Sequence, residues 1–168
     1  YAMQCPKCGS QMDLAISMGV LARDAFQGTG TFHGQEPITS LRLLSGLYGE
    51  VVGLVVRKDT GIRGIDELSG HRLNLSYEGS ASRAIAGDLL KSLNLSLQDF
   101  SEILEYPQEQ MASKFCEKEF DILVTTIGLT APFYEHVTNC GGVLLSLPLE
   151  VIDRLRLINP SSYGNVIR

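Results

Sequence analysis

The chain contains 168 residues, of which 44% are hydrophobic and 20% are charged, and its formal net charge is −5. A chain of this length can form one domain, or two small lobes, with a buried core. Lys and Arg residues do not cluster, which argues against a nucleic-acid-binding surface. No apolar run approaches the roughly 20 residues of a membrane-spanning helix, and no signal peptide is recognised at the start.

The first third of the chain is predicted to mix extended segments with one helix. Residues 12–18 predict a buried strand with Leu14 and Ile16 on one face. A short helix is predicted over 19–26. The glycine-rich loop that follows is not a phosphate-binding loop, because no Gly-Lys-Ser/Thr sequence comes after it. Further extended segments and one helical turn are predicted, in chain order, at 41–47, 50–57 and 65–68.

From residue 72 onwards, predicted strands and helices alternate. The predicted strands are 72–77, 100–106, 120–126 and 142–147. The predicted helices are 80–93, a segment from Pro107 through 118, 132–138 and 149–157. Such alternation indicates an α/β fold with a parallel or mixed sheet and helices on both faces.

The segment 73–86 is the centre of the predicted site. Leu73 and Leu75 alternate with polar neighbours, as in a half-buried strand, and a turn of small residues at 79–82 precedes a helix. Ser80 or Ser82 can cap that helix. The first turn of a helix has free N–H groups and a positive dipole end, which suit a carboxylate or phosphate. The alternative interpretation is an ordinary capped helix.

Ligands of α/β sheets bind at the carboxyl ends of the strands. Two such ends here, at 77–82 and 125–129, are rich in small, hydroxyl-bearing residues that can hydrogen-bond a small polar ligand. Arg83 lies in the first turn of the central helix, where a cation opposes the helix dipole. We therefore expect its side chain either in solvent or facing a bound anion.

Of the four cysteines, only Cys5 and Cys8 are closely spaced. Their Cys-x-x-Cys spacing is half of a zinc ribbon, but a structural zinc site needs four ligands. Cys116 and Cys140 stand alone in the sequence, and the three histidines form no ligand pair. We predict no metal site and no cofactor, with Cys5 and Cys8 as surface thiols or a local disulfide.

No catalytic motif is recognised. The sequence at 79–82 lacks the Gly-x-Ser-x-Gly frame of a nucleophile elbow. His71 and His136 are expected in solvated positions, and neither is placed as a general base. The chain is therefore predicted to have no catalytic residues and not to be an enzyme.

The order of segments resembles the TAXI family, the solute-binding proteins of TRAP transporters. The Gly-Thr-Gly loop within 25–34 is the most specific part of this resemblance. The other segments that carry it are 12–16, 43–48, 51–57, 61–62, 65–72, 79–82, 120–123 and 144–147. Together they cover nearly all of the chain after about residue 12.

The resemblance implies a fold like that of type II periplasmic binding proteins. One complete three-layer αβα lobe, plus part of a second, is expected. On this basis residues 1–58 are a partial first lobe with a crossover segment, and 59–150 are the second lobe. Residues 151–168 are the C-terminal helix and the return toward the first lobe.

The resemblance also implies a function. Proteins of this kind capture a small organic anion or amino acid between two lobes and deliver it to a membrane permease that uses an ion gradient. The expected location is the periplasm, or the outer face of the membrane with a lipid anchor. By position in the family, with neighbouring residues of the same turn, the expected ligand contacts are Tyr48, Tyr77, Gly79, Ser80, Ala81, Ser82, Arg83, Thr125, Thr126 and Ile127.

Several departures from the family support an alternative. Family members are longer at both ends, so the chain is expected to be a fragment or a truncated relative. Positions 18–20 replace a Gln-Ser-Asp sequence, Ala81 replaces a glycine, and Arg83 stands where an acid is common. The alternative function is a ligand-incompetent remnant that acts through protein contact or as a homodimer, because an exposed sheet edge invites pairing.

Overall fold

The computed structural model describes residues 13–128 and 132–160. The chain divides into two compact units, Tyr1–Gly46 and Leu47–Arg168. The lobe boundaries expected after residues 58 and 150 remain predictions. Within the described residues, no helix has the length and apolarity needed to cross a bilayer.

The first unit contains the predicted helix, α1 (Gly19–Gln27). It ends at Gly28, whose positive φ of 67° places it in the left-handed region that glycine adopts without a steric penalty. The Thr29 backbone N–H then donates to the Asp24 carbonyl at 3.0 Å. The Gly-Thr-Gly loop therefore serves as the C-terminal cap of α1 and continues into a 3₁₀ turn at Gly30–Phe32.

Two predictions for the first half of the chain are wrong. Residues 13–18 form no strand, and Leu14 and Ile16 are 73% and 85% exposed rather than buried. Residues 41–47 are also irregular. The physical reason is that a strand needs a hydrogen-bonded neighbour, and the described residues supply none to either segment. Met12, the first residue of the predicted strand, lies outside the described residues.

The second unit contains a five-stranded sheet. Its strands are β1 (Val51–Arg57), β2 (Arg72–Asn74), β3 (Glu102–Leu104), β4 (Ile122–Ile127) and β5 (Gly142–Leu144). Their order across the sheet is β3-β2-β4-β1-β5. Strand β2 is parallel to β3 and β4, whereas β1 is antiparallel to β4 and β5. The sheet is thus mixed, which confirms the predicted α/β class.

Three helices connect these strands and a fourth follows β5, all close to the predicted positions. They are α2 (Ala81–Ser92), α3 (Gln108–Cys116), α4 (Pro132–Asn139) and α5 (Leu149–Ile158). Pro107 immediately precedes α3, where its missing N–H is not needed. The helices were predictable because their apolar residues repeat at helical spacing.

The helices pack on both faces of the sheet. Because neighbouring residues of a strand point to opposite faces, Leu54 and Val55 belong to different clusters. One cluster joins the sheet to α2 and α5 through residues such as Leu89 and Val151. The other joins it to α3 and α4 through residues such as Phe115. This layering matches the predicted αβα arrangement and leaves the carboxyl ends of β2 and β4 at one edge.

Candidate functional site

The start of α2 carries a complete N-terminal cap. The Ser80 hydroxyl accepts a hydrogen bond from the Arg83 backbone N–H at 3.1 Å and donates to the Tyr77 carbonyl at 2.8 Å. In the described part of the chain, no acceptor contacts the backbone N–H groups of Ala81 and Ser82. These two donors, at the positive end of the helix dipole, can bind a carboxylate or another anionic oxygen.

Two hydroxyls connect the start of α2 to the end of β4. The Ser82 and Thr126 hydroxyl oxygens are 2.8 Å apart and share a hydrogen bond. Thr126 is buried, and Ser82 is half-buried. The structure therefore brings together two of the predicted contact segments, 77–83 and 125–127. Each hydroxyl keeps further hydrogen-bonding capacity for a ligand oxygen or N–H group.

The turn between β2 and α2 has an unusual backbone. Ser76 is buried and has a positive φ of 69°, which is uncommon for a residue other than glycine. Gly79 has a φ of 84°. These two residues end β2 earlier than predicted, at Asn74 instead of residue 77. They direct the chain sharply from the sheet into α2, which exposes backbone N–H groups at the helix start.

Arg83 makes an ion pair that was not expected from the sequence. Its guanidinium Nη1 lies 2.8 Å from a Glu105 carboxylate oxygen and 3.3 Å from the Ser76 carbonyl. The side chain is half-buried beside the helix start. Glu105 follows β3, the parallel neighbour of β2, and this strand pairing was not visible in the sequence. The ion pair offsets the positive charge beside the helix start.

The remaining predicted contacts lie at the same edge of the sheet. Val51, the first residue of β1, pairs with Ile127. Tyr48 lies in the short irregular segment just before Val51. The side chains of Tyr48 and Tyr77 are 77% and 53% exposed, which leaves both rings open to a ligand. Leu129, at the end of the second predicted contact segment, lies outside the described residues.

Two buried polar side chains on the opposite face of the sheet were not predicted from the sequence. The side-chain Oδ1 of Asn74 accepts a hydrogen bond from the Tyr106 backbone N–H at 2.8 Å, but the side-chain Nδ2 has no partner in the described structure. The Tyr134 hydroxyl is likewise buried and unpaired there, and burial raises the pKa of Tyr134 to about 12. Unpaired buried polar groups are costly and are often functional.

Strand register places these two groups near Thr125. Asn74 pairs with Leu123, and Gly53 pairs with Thr125. The Tyr134 hydroxyl lies over Gly53, only 2.6 Å from where a Cβ atom would be, so a side chain at position 53 would displace the tyrosine. Leu73 and Leu75 belong to the cluster beneath α2 and α5, so Asn74 points to the opposite face of the sheet, which α3 and α4 cover.

The other end of β4 holds a cluster of charges with a structural role. The Asp121 carboxylate accepts two hydrogen bonds from the Arg72 guanidinium, at 2.8 and 3.0 Å, and one from its backbone N–H at 3.1 Å. Burial alone would raise the pKa of Asp121, but these hydrogen bonds outweigh it and hold the pKa below its usual value. Asp59 also has a lowered pKa, chiefly through its hydrogen bonds with Arg57 and then with Lys118.

Cys116 and Cys140, which appeared to stand alone in the sequence, form a disulfide. The bond joins the last residue of α3 to the residue that follows α4, and their Cα atoms are 5.3 Å apart. His136 lies beside it on α4. The pairing was not predicted because only the folded packing of α3 against α4 brings the two cysteines together. Cys5 and Cys8 lie outside the described residues.

Comparison with known proteins gives one family and several partial structural matches. The sequence profile of the NMT1-like family matches residues 8–168. A periplasmic sulfonate-binding protein from Methylobacillus flagellatus KT is similar to 59% of the chain, with 21% identity and a TM-score of 0.47. An alkanesulfonate-binding protein from Xanthomonas axonopodis pv. citri bound to MOPS is similar to 60% of it, with 22% identity and a TM-score of 0.44.

An ancestral arginine-binding protein bound to arginine is similar to 68% of the chain, with 13% identity and a TM-score of 0.42. The chain spans less than two thirds of each of these proteins. It matches 29% and 35% of the lengths of the two sulfonate-binding proteins and 56% of the arginine-binding protein.

Proposed function

The chain belongs to the NMT1-like family, and we propose that it is part of a solute-binding protein that captures a small carboxylate or amino acid. In this proposal the protein is not an enzyme. It delivers its ligand to the membrane permease of a secondary transporter of the TRAP type. The TRAP assignment is supported by the ordered segments that resemble the TAXI family, above all the Gly-Thr-Gly loop.

The start of α2 is the observation that carries this proposal. The N–H groups of Ala81 and Ser82 are without an acceptor in the described structure, and the hydroxyls of Ser82 and Thr126 lie beside them. A carboxylate placed there would accept hydrogen bonds from neutral donors that are already in position. Because little rearrangement is required, little of the binding free energy is lost to ordering the site.

The charges around the helix start support a small ligand with one anionic group. Arg83 and Glu105 form a pair with no net charge, so the described part of the helix start carries no unbalanced cation for a highly charged ligand. Glu105 is also half-exposed, and it offers a carboxylate to the ammonium group of an amino acid. Exposed rings of Tyr48 and Tyr77 would cover the apolar part of such a ligand.

A location outside the cytoplasm is part of the proposal. The disulfide between Cys116 and Cys140 supports it, because disulfides persist in oxidising compartments such as the bacterial periplasm. A periplasmic receptor would meet its solute there before it docks on a permease.

Thermal unfolding with a panel of small ligands tests the proposal. The panel contains amino acids, short carboxylates and short alkanesulfonates, each added to the purified chain. A ligand at 100 times its dissociation constant raises the free energy of unfolding by about 2.7 kcal/mol, and Ser82→Ala should weaken that rise. If no ligand shifts a cooperative unfolding transition, the proposed receptor function is overturned.

The alternative, a remnant that acts by self-association, is favoured by one specific observation. Large apolar side chains in the irregular segments are exposed, among them Leu14, Leu43 and Leu44. Such side chains often mark a protein interface. Sedimentation equilibrium distinguishes the two functions, because a dimer that binds no panel ligand supports the remnant and a ligand-binding monomer excludes it.

A further inference from the structure

Cys116, His136 and Cys140 form a compact cluster at the ends of α3 and α4. Their sulfur and imidazole nitrogen atoms all lie within 4.8 Å of one another. Cys116 is half-buried, whereas His136 and Cys140 are exposed, so solutes can reach the cluster. Neither the proposed ligand site nor the charge cluster beside Asp121 uses these three side chains.

The packing beneath the cluster holds its members together in addition to the S–S bond. Phe115 and Val137, the neighbours of Cys116 and His136 in the chain, are both buried in the same apolar cluster. Gly142 packs so closely against them that a Cβ atom there would lie 2.6 Å from Val137 and 3.2 Å from Phe115. The ends of the two helices are therefore joined by apolar packing as well as by the disulfide.

The local backbone also fixes the histidine relative to one cysteine. The Cys140 backbone N–H donates to the His136 carbonyl at 3.2 Å, which extends the helical turn by one residue. Residues four apart on a helical turn lie on the same face. His136 and Cys140 thus form one side of the cluster, and Cys116 on α3 forms the other.

We propose that reduction of the Cys116–Cys140 disulfide creates a zinc site made of these two thiolates and the His136 imidazole. Two Cys and one His, with a water in the fourth position, form a tetrahedral ligand set that suits Zn²⁺. Ligand atoms of such a site lie about 3.5–3.8 Å apart, a separation that side-chain rotation can reach from the observed cluster. The disulfide and the bound metal exclude each other, so the redox state controls metal binding.

The chemistry requires a reductant of the dithiol class, or a phosphine in the laboratory. With a phosphine, the S–S bond is cleaved, water supplies two protons and one oxygen, and the products are two thiols and a phosphine oxide. Zn²⁺ then replaces the two thiol protons, which are released to solvent. The imidazole binds in its neutral form through one ring nitrogen.

The test uses the full chain carrying Cys5→Ser and Cys8→Ser, so that any metal binding by this closely spaced thiol pair does not contribute to the signal. This protein is prepared oxidised and phosphine-reduced, and circular dichroism verifies that both forms are folded. Co²⁺ is titrated as a spectroscopic substitute for zinc, and Zn²⁺ is then added to displace it. His136→Ala is the diagnostic variant, and His71→Ala, in the same unit, is the matched control.

The reduced protein should bind one Co²⁺ with thiolate-to-metal absorption, and the oxidised protein should not. His136→Ala should weaken binding by about tenfold or more, and His71→Ala should leave it unchanged. X-ray absorption of the zinc form should find two sulfurs at about 2.3 Å and nitrogen at about 2.0–2.1 Å. Equal Co²⁺ affinities of the parent and His136→Ala proteins, or equal binding by the oxidised and reduced forms, would overturn the proposal.

If the reduced chain is unfolded, metal-induced refolding is measured instead. Refolding that depends on His136 supports the site, and refolding that does not depend on it contradicts the site.

Discussion

The hydroxyl of Ser82, in the first turn of α2, hydrogen-bonds the hydroxyl of Thr126, near the end of β4, at 2.8 Å. The two residues are far apart in the sequence, and their contact fixes the helix start against the edge of the sheet. It also places two side-chain oxygens beside the N–H groups that we propose as ligand donors.

A double-mutant cycle should detect this contact. Ser82→Ala leaves the buried Thr126 hydroxyl without its partner, whereas adding Thr126→Val removes that hydroxyl at nearly constant shape. We expect a coupling of about 0.5–1.5 kcal/mol between the two substitutions, measured by urea unfolding. Additive effects would mean that the hydrogen bond does not contribute to stability.

The Ser80 cap makes a separate prediction. Replacing Ser80 by alanine removes the hydroxyl that accepts from the Arg83 N–H. Ser80→Ala should lower the free energy of unfolding by about 1 kcal/mol, and Ser80→Gly by only a few tenths, because glycine leaves the first-turn N–H groups more accessible to water. Chemical denaturation of both variants measures the difference, and an equal loss in the two would show that the cap is not used.

Glu105 should limit the affinity for anions. Its carboxylate is 2.8 Å from the Arg83 guanidinium and offsets that positive charge. Glu105→Gln should therefore raise the affinity for a carboxylate by about fivefold, which corresponds to about 1 kcal/mol of charge interaction near the surface. Isothermal titration with a short carboxylate from the panel, which has no ammonium group to contact Glu105, measures the change. Glu150→Gln, on the exposed first turn of α5, removes the same charge elsewhere and should change affinity little.

Asp121 should make the stability depend on pH in a defined direction. Its pKa is lowered in the folded chain, so the unfolded chain takes up this proton first as the pH falls. Stability from Asp121 is thus fully present above its ordinary pKa of about 3.9 and is lost as the pH falls through its lower folded value. Unfolding measured from pH 6 downward, as a pH series, should show a shallower decline for Asp121→Asn.

At neutral pH, Asp121→Asn should also cost about 2–3 kcal/mol, because Arg72 loses a charged hydrogen-bond acceptor. The control is Asp153→Asn, which breaks an exposed pair with Arg156 and should cost less than about 1 kcal/mol. Equal losses in the two variants would contradict the structural role given to Asp121.

Local patterns were enough to predict the α/β class and the helices of the second unit. The spacing of Met111 and Phe115, for example, correctly predicted the buried face of α3. The strand predicted at residues 13–18 is wrong, because an alternation of apolar and polar residues does not show whether a partner strand lies beside the segment. Local patterns also could not place β1 between β4 and β5, because antiparallel insertion depends on pairings that are distant in the sequence.

The candidate site was predictable where its chemistry is local. The turn at 79–82 and the cap at Ser80 could be inferred from residue type and order. Three features could not be inferred, because each depends on strand order or helix packing. They are the Arg83–Glu105 ion pair, the Asn74 side-chain amide that has no partner among the described residues, and the disulfide.

The most direct test of the proposed function is to locate a bound ligand by amide chemical-shift mapping. The isotope-labelled chain is titrated with a ligand that stabilises it in the thermal panel. The largest shifts should occur at the amides of Ala81 and Ser82, with smaller ones at residues 125–127. Saturable binding that shifts amides elsewhere and leaves the start of α2 unchanged would contradict it.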